Sequence, residues 1–342
     1  RRPCPYGAPA TCRDDEVRVD RHDSDLTIIG AGPAGLYAAY YAGFRGLSTA
    51  LVDSLPEPGG QVSALYPEKM IYDVAGFPAV RGQELIDRLV EQAAPYEPTY
   101  LLNHRAEQLD KQEDGTFIVG THKGAQVHTK SVIITGGIGT FTPRPLPDGE
   151  TFEGRGLVYF VPKLEVMRDK DVLIVGGGDS AFDWALNLED IARSITLIHR
   201  RDRFRAHEDT VEKVKASSVR LLTFTEVAQI HGDEEIEAVT IFNNQTDERE
   251  TIKVQGVVAA LGFKSDLGPL KSWDIEIDKR NIVVDTRMET SVEGVFAGGD
   301  ITDYEGKVRL ISVGFGEAAT AVNNAAVYID PSAKVFPGHS SG

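Results

Sequence analysis

Residues 171–181 read DVLIVGGGDSA, an apolar strand running straight into three glycines, and the helix-like continuation is SAFDWALNLEDI. The same arrangement stands earlier in the chain, where DLTII at 25–29 leads into GAGPAG at 30–35 and then into LYAAYYAGFRG. Each loop and helix is followed by a second strand, STALVD at 48–53 and SITLIHR at 194–200. Strand, glycine loop, helix and strand in succession form the unit of a parallel sheet with crossover helices. Two such units predict an α/β protein with two Rossmann-like, three-layer dinucleotide-binding domains.

Outward from the loops, ELIDRLVEQAAPY at 84–96 has Leu85, Leu89 and Val90 spaced for one face of an amphipathic helix. Turn-separated strands follow at TFIVGTH and AQVHTKSVIITGG, and the segment 139–156 is dense enough in Pro and Gly to be a linker. The second unit runs to VQGVVAALGFKSD at 254–266. The last block, with NIVVD, VEGVFAGGD and the helix-like GFGEAATAVNNAAVYI, echoes neither loop and is read as returning to the first unit. The expected organisation is a flexible tail over 1–24, a discontinuous first domain over 25–139 and 267–342, and a second domain over 140–266 inserted in it.

Gly30, Gly32 and Gly35, with Pro33 and Ala34 between them, spell G-x-G-x-x-G between a strand and a helix. There the backbone can approach a pyrophosphate lying on the helix amino terminus, and the third glycine permits close packing of helix on strand. Asp53 ends the next strand 23 residues after Gly30, near the spacing of an acceptor for ribose hydroxyls. The second loop, Gly176, Gly177, Gly178, Asp179, Ser180 and Ala181, fits G-x-G-x-x-A. The same 23-residue count from Gly176 reaches His199, followed by Arg200 and Arg201, with Arg205 beyond. A carboxylate at that place would repel a 2′-phosphate, whereas guanidinium groups pair with one, so the second site is read as binding NADP(H). Any one of these arginines could instead face solvent beside Asp202.

The first loop is assigned from the end of the chain. SVEGVFAGGD closes a strand with Asp300, whose carboxylate can accept hydrogen bonds from a polyol such as the ribityl chain of FAD. The helix that follows offers its amino end to the charge a reduced flavin acquires. Together these favour FAD over a second nicotinamide cofactor.

Composition narrows the function classes. Among 342 residues, Asp and Glu number 52 against 36 Lys and Arg, a formal net charge of −16, which argues against nucleic-acid binding. No apolar run approaches a membrane span, no signal-peptide core stands at the amino end, and no metal site is read, so the expected place is the cytoplasm. The chain starts at Arg1, which leaves a processed or truncated leader open. Cys4 and Cys12 are the only cysteines, both in a Pro-rich, charged, non-periodic stretch. They are read as incidental tail thiols, with a relocated redox pair as the alternative.

GAGPAG, GGQ at 59–61, ITGG at 134–137, GGGDSA, HRRDRFRAH and VFAGGD together resemble the thioredoxin-reductase-like flavoproteins over nearly the whole chain from about residue 25. Within that group, LYPEKMIYDVAGFP at 65–78, the tail YIDPSAKVFPGHSSG and the lack of a cysteine pair before the second loop resemble the ferredoxin–NADP reductases of this lineage. The resemblance implies an FAD domain, an inserted NADPH domain and a homodimer in which the tail of one subunit covers the flavin of the other. It implies that Gly60, Gln61 and Tyr66 contact the flavin side, that Tyr66 stacks on one face of the isoalloxazine, and that His339 lies against the other with Ser340 beside it. Ala106 resembles a position whose backbone meets adenine, and Phe141 resembles another FAD neighbour. No acid, base or nucleophile is expected.

Tyr159, Phe160, Val161 and Pro162 stand where related enzymes place a reactive dithiol. Without it, electrons from NADPH are expected to leave the flavin directly for ferredoxin or flavodoxin. Such acceptors are typically acidic, so an acidic chain needs basic residues gathered locally; Lys163, Arg168, Lys170 and the tail arginines are the candidates. The competing readings are a dithiol reductase using Cys4 and Cys12, an NADPH oxidase, and a non-enzymatic sensor of FAD and NADP(H).

Overall fold

The computed structural model describes residues 20–137, 140–161 and 163–338. The longer elements of the first part, in chain order, are β1 (Arg21–Ile29), α1 (Pro33–Phe44), β2 (Thr49–Val52), α2 (Gln61–Leu65) and α3 (Gly82–Ala93). β3 (Thr99–Leu101), β4 (Ala106–Lys111), β5 (Phe117–Thr121) and β6 (Gln126–Ile134) follow. The middle of the chain holds β7 (Thr140–Pro143), β8 (Leu157–Val158), β9 (Asp171–Val175), α4 (Asp179–Leu188), β10 (Ser194–Ile198), α5 (Glu208–Ala216) and β11 (Arg220–Leu222). Then come β12 (Thr225–His231), β13 (Ala238–Asn243), β14 (Arg249–Lys253), β15 (Gly256–Ala259), β16 (Phe263–Asp266), β17 (Val295–Ala297) and α6 (Ile311–Ile329).

The first sheet runs β3-β2-β1-β6-β5-β4, and β17 also pairs with β6. Its pairs from β3 to β6 and the β6–β17 pair are parallel, while β5 and β4 form an antiparallel edge. The second sheet, β8-β15-β9-β10-β11, is parallel throughout. Both sheets therefore place the third strand, the second and the first in that order, with the returning strand on the other side of the first. This order opens a crevice at the carboxyl ends of the strands, where the direction of winding reverses.

The cores divide along the chain. One cluster joins Leu26, Ile28, Leu36, Leu51 and Ile133 to Val295, Phe296, Ala318 and Val322, so both ends of the described chain share it. Two others draw only on buried residues between Leu146 and Ala259. α1 is apolar on all sides because it is enclosed between the first sheet, α3 and α6.

Several elements differ from their expected bounds for local reasons. β1 begins at Arg21 because its polar start pairs in register with the polar start of β6, Arg21 opposite Gln126, without any apolar run to announce it. α3 stops at Ala93 and tightens into a 3₁₀ turn over Ala94–Tyr96, where Pro95 cannot continue the helix. Ile86 takes the buried place expected of Val90, which is only half-buried. The Pro- and Gly-rich segment after residue 139 contains a strand: β7 pairs antiparallel with β16, Pro143 opposite Phe263 and Thr140 opposite Asp266. The two connections between the sheets thus run side by side. Among the described residues no helix is long and apolar enough to cross a membrane.

Candidate functional site

A cleft opens at the carboxyl ends of β1, β2 and β6, and the first glycine loop forms its floor. The three glycines have separate reasons to be there. Gly30 has φ +111°, and a Cβ on it would lie 2.6 Å from the Thr135 carbonyl oxygen. A Cβ on Gly35 would lie 1.8 Å from the Gly30 oxygen, so that glycine lets α1 press against the loop. A Cβ on Gly32 would meet no protein atom within 4 Å. The loop is closed behind and open towards the cleft.

The amino end of α1 has Pro33 in its first turn, no side-chain cap and no acidic residue. Its free N–H groups and dipole leave an anion-binding end. Asp53 sits beside it, accepting from the Ala31 N–H at 2.6 Å and the Leu55 N–H at 2.8 Å. Burial pushes the Asp53 carboxyl above its ordinary range, and those two donors hold it back. Gly60 backs onto Gly32, since its Cβ would stand 3.1 Å from the Gly32 Cα.

The cleft brings together residues distant in sequence. Gln61, Tyr66, Ala106, Gly299, Asp300 and Gly314 all line the cleft, with Pro33, Ala34 and Gly60. Burial, reinforced by the carboxylates of Asp300 and Asp73, pushes the Tyr66 phenol up to about 12. Burial also raises the Asp300 carboxyl; Lys307 and Arg309 oppose this, and Glu317 adds to it. α6 begins at the cleft, with Leu310 and Ile311 on the lining and no acid in its first turn.

Sequence reasoning did not single out His104, Leu270 and Trp273, which also line this cleft. Trp273 is fixed by its indole N–H donating to the Glu107 carbonyl at 3.1 Å. No short motif marks these positions; only chain folding brings them together.

The second loop repeats the division of labour. A Cβ on Gly176 would lie 2.5 Å from the Ala260 oxygen, and one on Gly178 would meet nothing within 4 Å. The arginine-rich stretch is tied back onto the loop: the Arg205 N–H donates to the Gly177 oxygen at 2.7 Å, and the His207 N–H donates to Asp179 Oδ1 at 2.9 Å. Ala181 is buried under the loop, and Ser180 is exposed. Arg200, Arg201 and Arg205 are exposed, and among the described residues none has an ion-pair partner. The His199 ring fills the space over Gly177, where a Cβ would come within 2.3 Å of it. Burial lowers the His199 pKa, a hydrogen bond with the Arg203 backbone opposes this, and the charges of Arg200, Arg201 and Arg205 lower it further, which favours the neutral imidazole beside a cationic cluster.

Among the described residues, none between 140 and 266 lines the first cleft. The two parts of the chain nonetheless touch at Tyr66, which packs partly against the second core, and at its neighbours. Lys69 forms an ion pair with Asp183 of α4, and the Leu164 N–H donates to Glu68 at 3.2 Å. Arg168, one of the basic candidates, is engaged by Glu165, while Lys163 is exposed.

Phe141 is in β7, opposite Ser265. His339, Ser340, Cys4, Cys12 and Pro162 lie outside the described residues. At the expected dithiol position Val161 is buried and Tyr159 packs on the second unit's core; neither carries sulfur.

A family model described as pyridine nucleotide-disulphide oxidoreductase matches residues 24–325. A ferredoxin–NADP reductase of Frankia casuarinae is 65% identical over 316 residues, covering 92% of this chain and 98% of that protein. One from a Nocardioides species is 59% identical, covering 93% and 97%. Among solved structures, the thioredoxin reductase of T. acidophilum superposes with a TM-score of 0.77 at 29% identity, covering 91% of this chain and all of that one. The Lactococcus lactis thioredoxin reductase gives 0.77 at 27% identity over 90% and 99%. With two glycine-loop sheets of one strand order and relatives matched almost end to end, the chain belongs to the pyridine nucleotide-disulphide oxidoreductase family, and within it to the ferredoxin–NADP reductases of thioredoxin-reductase-like build.

Proposed function

We propose that the protein transfers electrons between NADPH and ferredoxin or flavodoxin through bound FAD, with the FAD domain over 25–139 and 267–342 and the NADP(H) domain over 140–266. The observation that carries the reading is the difference between two otherwise equivalent loops. One is followed at the second strand by Asp53, the other by His199, Arg200 and Arg201. An acidic partner suits ribose hydroxyls and a cationic one suits a 2′-phosphate.

The residues of the first cleft fit FAD. Gly30, Gly32, Pro33, Ala34 and Gly35 would hold its pyrophosphate, with the open face of Gly32 leaving the room that a phosphate needs. Asp53 would take the adenosine ribose, Ala106 would meet adenine, Asp300 the ribityl chain, and Gln61 and Tyr66 the isoalloxazine side. Gly176, Gly178, Asp179, Ser180 and Ala181 would carry the NADP(H) pyrophosphate. When bound, FAD supplies the redox chemistry, taking a hydride from NADPH and releasing electrons singly. The chain's own part is to bind, orient and limit access; Tyr66 does this on one face, and His339 with Ser340 and Phe141 is assigned to the same task from resemblance. A homodimer and a cytoplasmic location belong to this reading.

Absence of sulfur at 159–162 supports direct transfer over a dithiol relay, since the only cysteines are Cys4 and Cys12. The test is anaerobic reduction of the purified yellow protein by NADPH, followed by ferredoxin or thioredoxin in parallel. Reduction of ferredoxin is expected. Reduction of thioredoxin alone, abolished by replacing both cysteines with serine, would establish the dithiol reductase instead. Faster oxygen uptake than ferredoxin turnover would identify an oxidase, and no turnover with any acceptor a sensor.

A further inference from the structure

Directly behind the cleft lies a buried charged cluster that the transfer of electrons does not itself use. Glu317, on α6, and the Lys307 ammonium form an ion pair with side chains 4% and 3% exposed, so both charges are out of water. Glu317 Oε2 accepts from the Gly299 N–H at 2.7 Å, and Oε1 accepts from the Tyr304 hydroxyl and from Lys307. Lys307 also donates to the Gly299 carbonyl at 2.9 Å, which the Thr302 hydroxyl reaches at 2.8 Å. Gly299 has φ +82°, and a Cβ there would lie 3.3 Å from the Ala34 Cβ of the first glycine loop. The N–H and the C=O of one cleft-lining glycine are therefore gripped by the two halves of one ion pair, immediately before Asp300.

A buried pair is a poor way to gain stability, because apolar side chains of similar volume often serve as well; removing one partner alone is costly. A packed apolar pair could not hold both ends of a backbone unit, however. We propose that Lys307 and Glu317 are positioning residues that fix the Gly299 backbone and thereby set Asp300 and the start of α6 against the ligand. The proposal rests on the reading of the cleft as an FAD site.

The test compares stability with ligand affinity. Thermal unfolding of the apoprotein is followed by circular dichroism, and FAD dissociation by flavin fluorescence, for Lys307→Met, for the double variant Lys307→Met with Glu317→Met, and for Glu317→Gln. The single Lys307→Met variant is expected to lose both stability and affinity. The double variant should recover most of the melting temperature yet bind FAD at least about tenfold more weakly than the parent. Recovery of stability and affinity together would overturn the proposal. Should the double variant stay unstable, Glu317→Gln decides: it keeps the volume, should weaken FAD binding, and should move the midpoint potential of retained FAD to a more positive value, because Lys307 keeps its charge while its balancing carboxylate is gone. Parent-like affinity and potential in Glu317→Gln would overturn it as well. A parent protein that binds no FAD would overturn the reading of the cleft, whereas normal binding by parent and variants alike would overturn the positioning role alone.

Discussion

Lys69, three residues past the cleft-lining Tyr66, is ion-paired to Asp183 on the helix that follows the second glycine loop. One charge belongs to the first part of the chain and the other to the inserted part, and their side chains are 33% and 24% exposed. No described residue of the inserted part lines the first cleft; on the proposed function, a nicotinamide carried by the second loop meets the flavin through a shift of the two parts, which a pair joining them would oppose.

Asp183→Asn should therefore speed reduction of the bound flavin by NADPH. A partly exposed ion pair contributes up to about 1 kcal/mol, so the gain is roughly two- to fivefold at low salt. Stopped-flow reduction at increasing ionic strength checks this: the parent should approach the variant as salt screens the pair. A variant slower than the parent at every salt concentration would mean that the pair aligns the parts for transfer.

Arg200→Ala and Arg201→Ala should each weaken NADPH binding by roughly 10- to 100-fold, the scale of losing a charge-assisted hydrogen bond to phosphate. NADH binding should be unchanged. Kinetics with both nucleotides distinguish this from general damage, which would affect both alike.

Gly32→Ala and Gly35→Ala should part company. The first side chain points into open cleft, so apoprotein stability is kept while FAD affinity falls. The second would drive a methyl into the Gly30 carbonyl, costing about 1–3 kcal/mol or more and lowering the apoprotein melting temperature. Parallel melting and flavin-binding curves test the contrast.

Tyr66 has its phenol raised from 10.0 to about 12, so the folded state favours the protonated form. The contribution is complete below pH 10.0, the ordinary value, and is lost as pH rises towards about 12. Tyr304 is raised into the same range, with burial the largest cause and Glu317 adding to it. Denaturant unfolding should show stability falling across that window, and Tyr66→Phe should reduce the slope without abolishing it. Across neutral pH the variant should show no change in its pH profile.

Both glycine loops could be located from sequence because their pattern is local. A strand, three glycines and a helix occupy about a dozen consecutive positions, and Asp53 and His199 follow at a fixed distance set by one helix and one strand. Asp300 was legible for the same reason, at the end of its own strand. The pairing of β7 with β16 was not, because its backbone bonds join Pro143 to Phe263 across the whole inserted part and need no particular side chains. The antiparallel strands β12 to β14 were missed in the same way, since their mixed polar sequences give no long apolar run. Glu317 was hidden differently: in a small-residue helix it reads as one more surface charge, and only the fold brings Lys307 and Gly299 to it.

The adjacency of β7 and β16 should make the middle of the chain removable. Pro143 and Phe263 face each other as neighbouring positions on antiparallel strands, about 5 Å apart. Splicing them through a two-residue Asn-Gly turn would convert two long-range connections into one hairpin. The remaining polypeptide should fold alone, bind its flavin and lose all response to NADPH, yielding a minimal yellow module whose reduction has to be driven by light or dithionite.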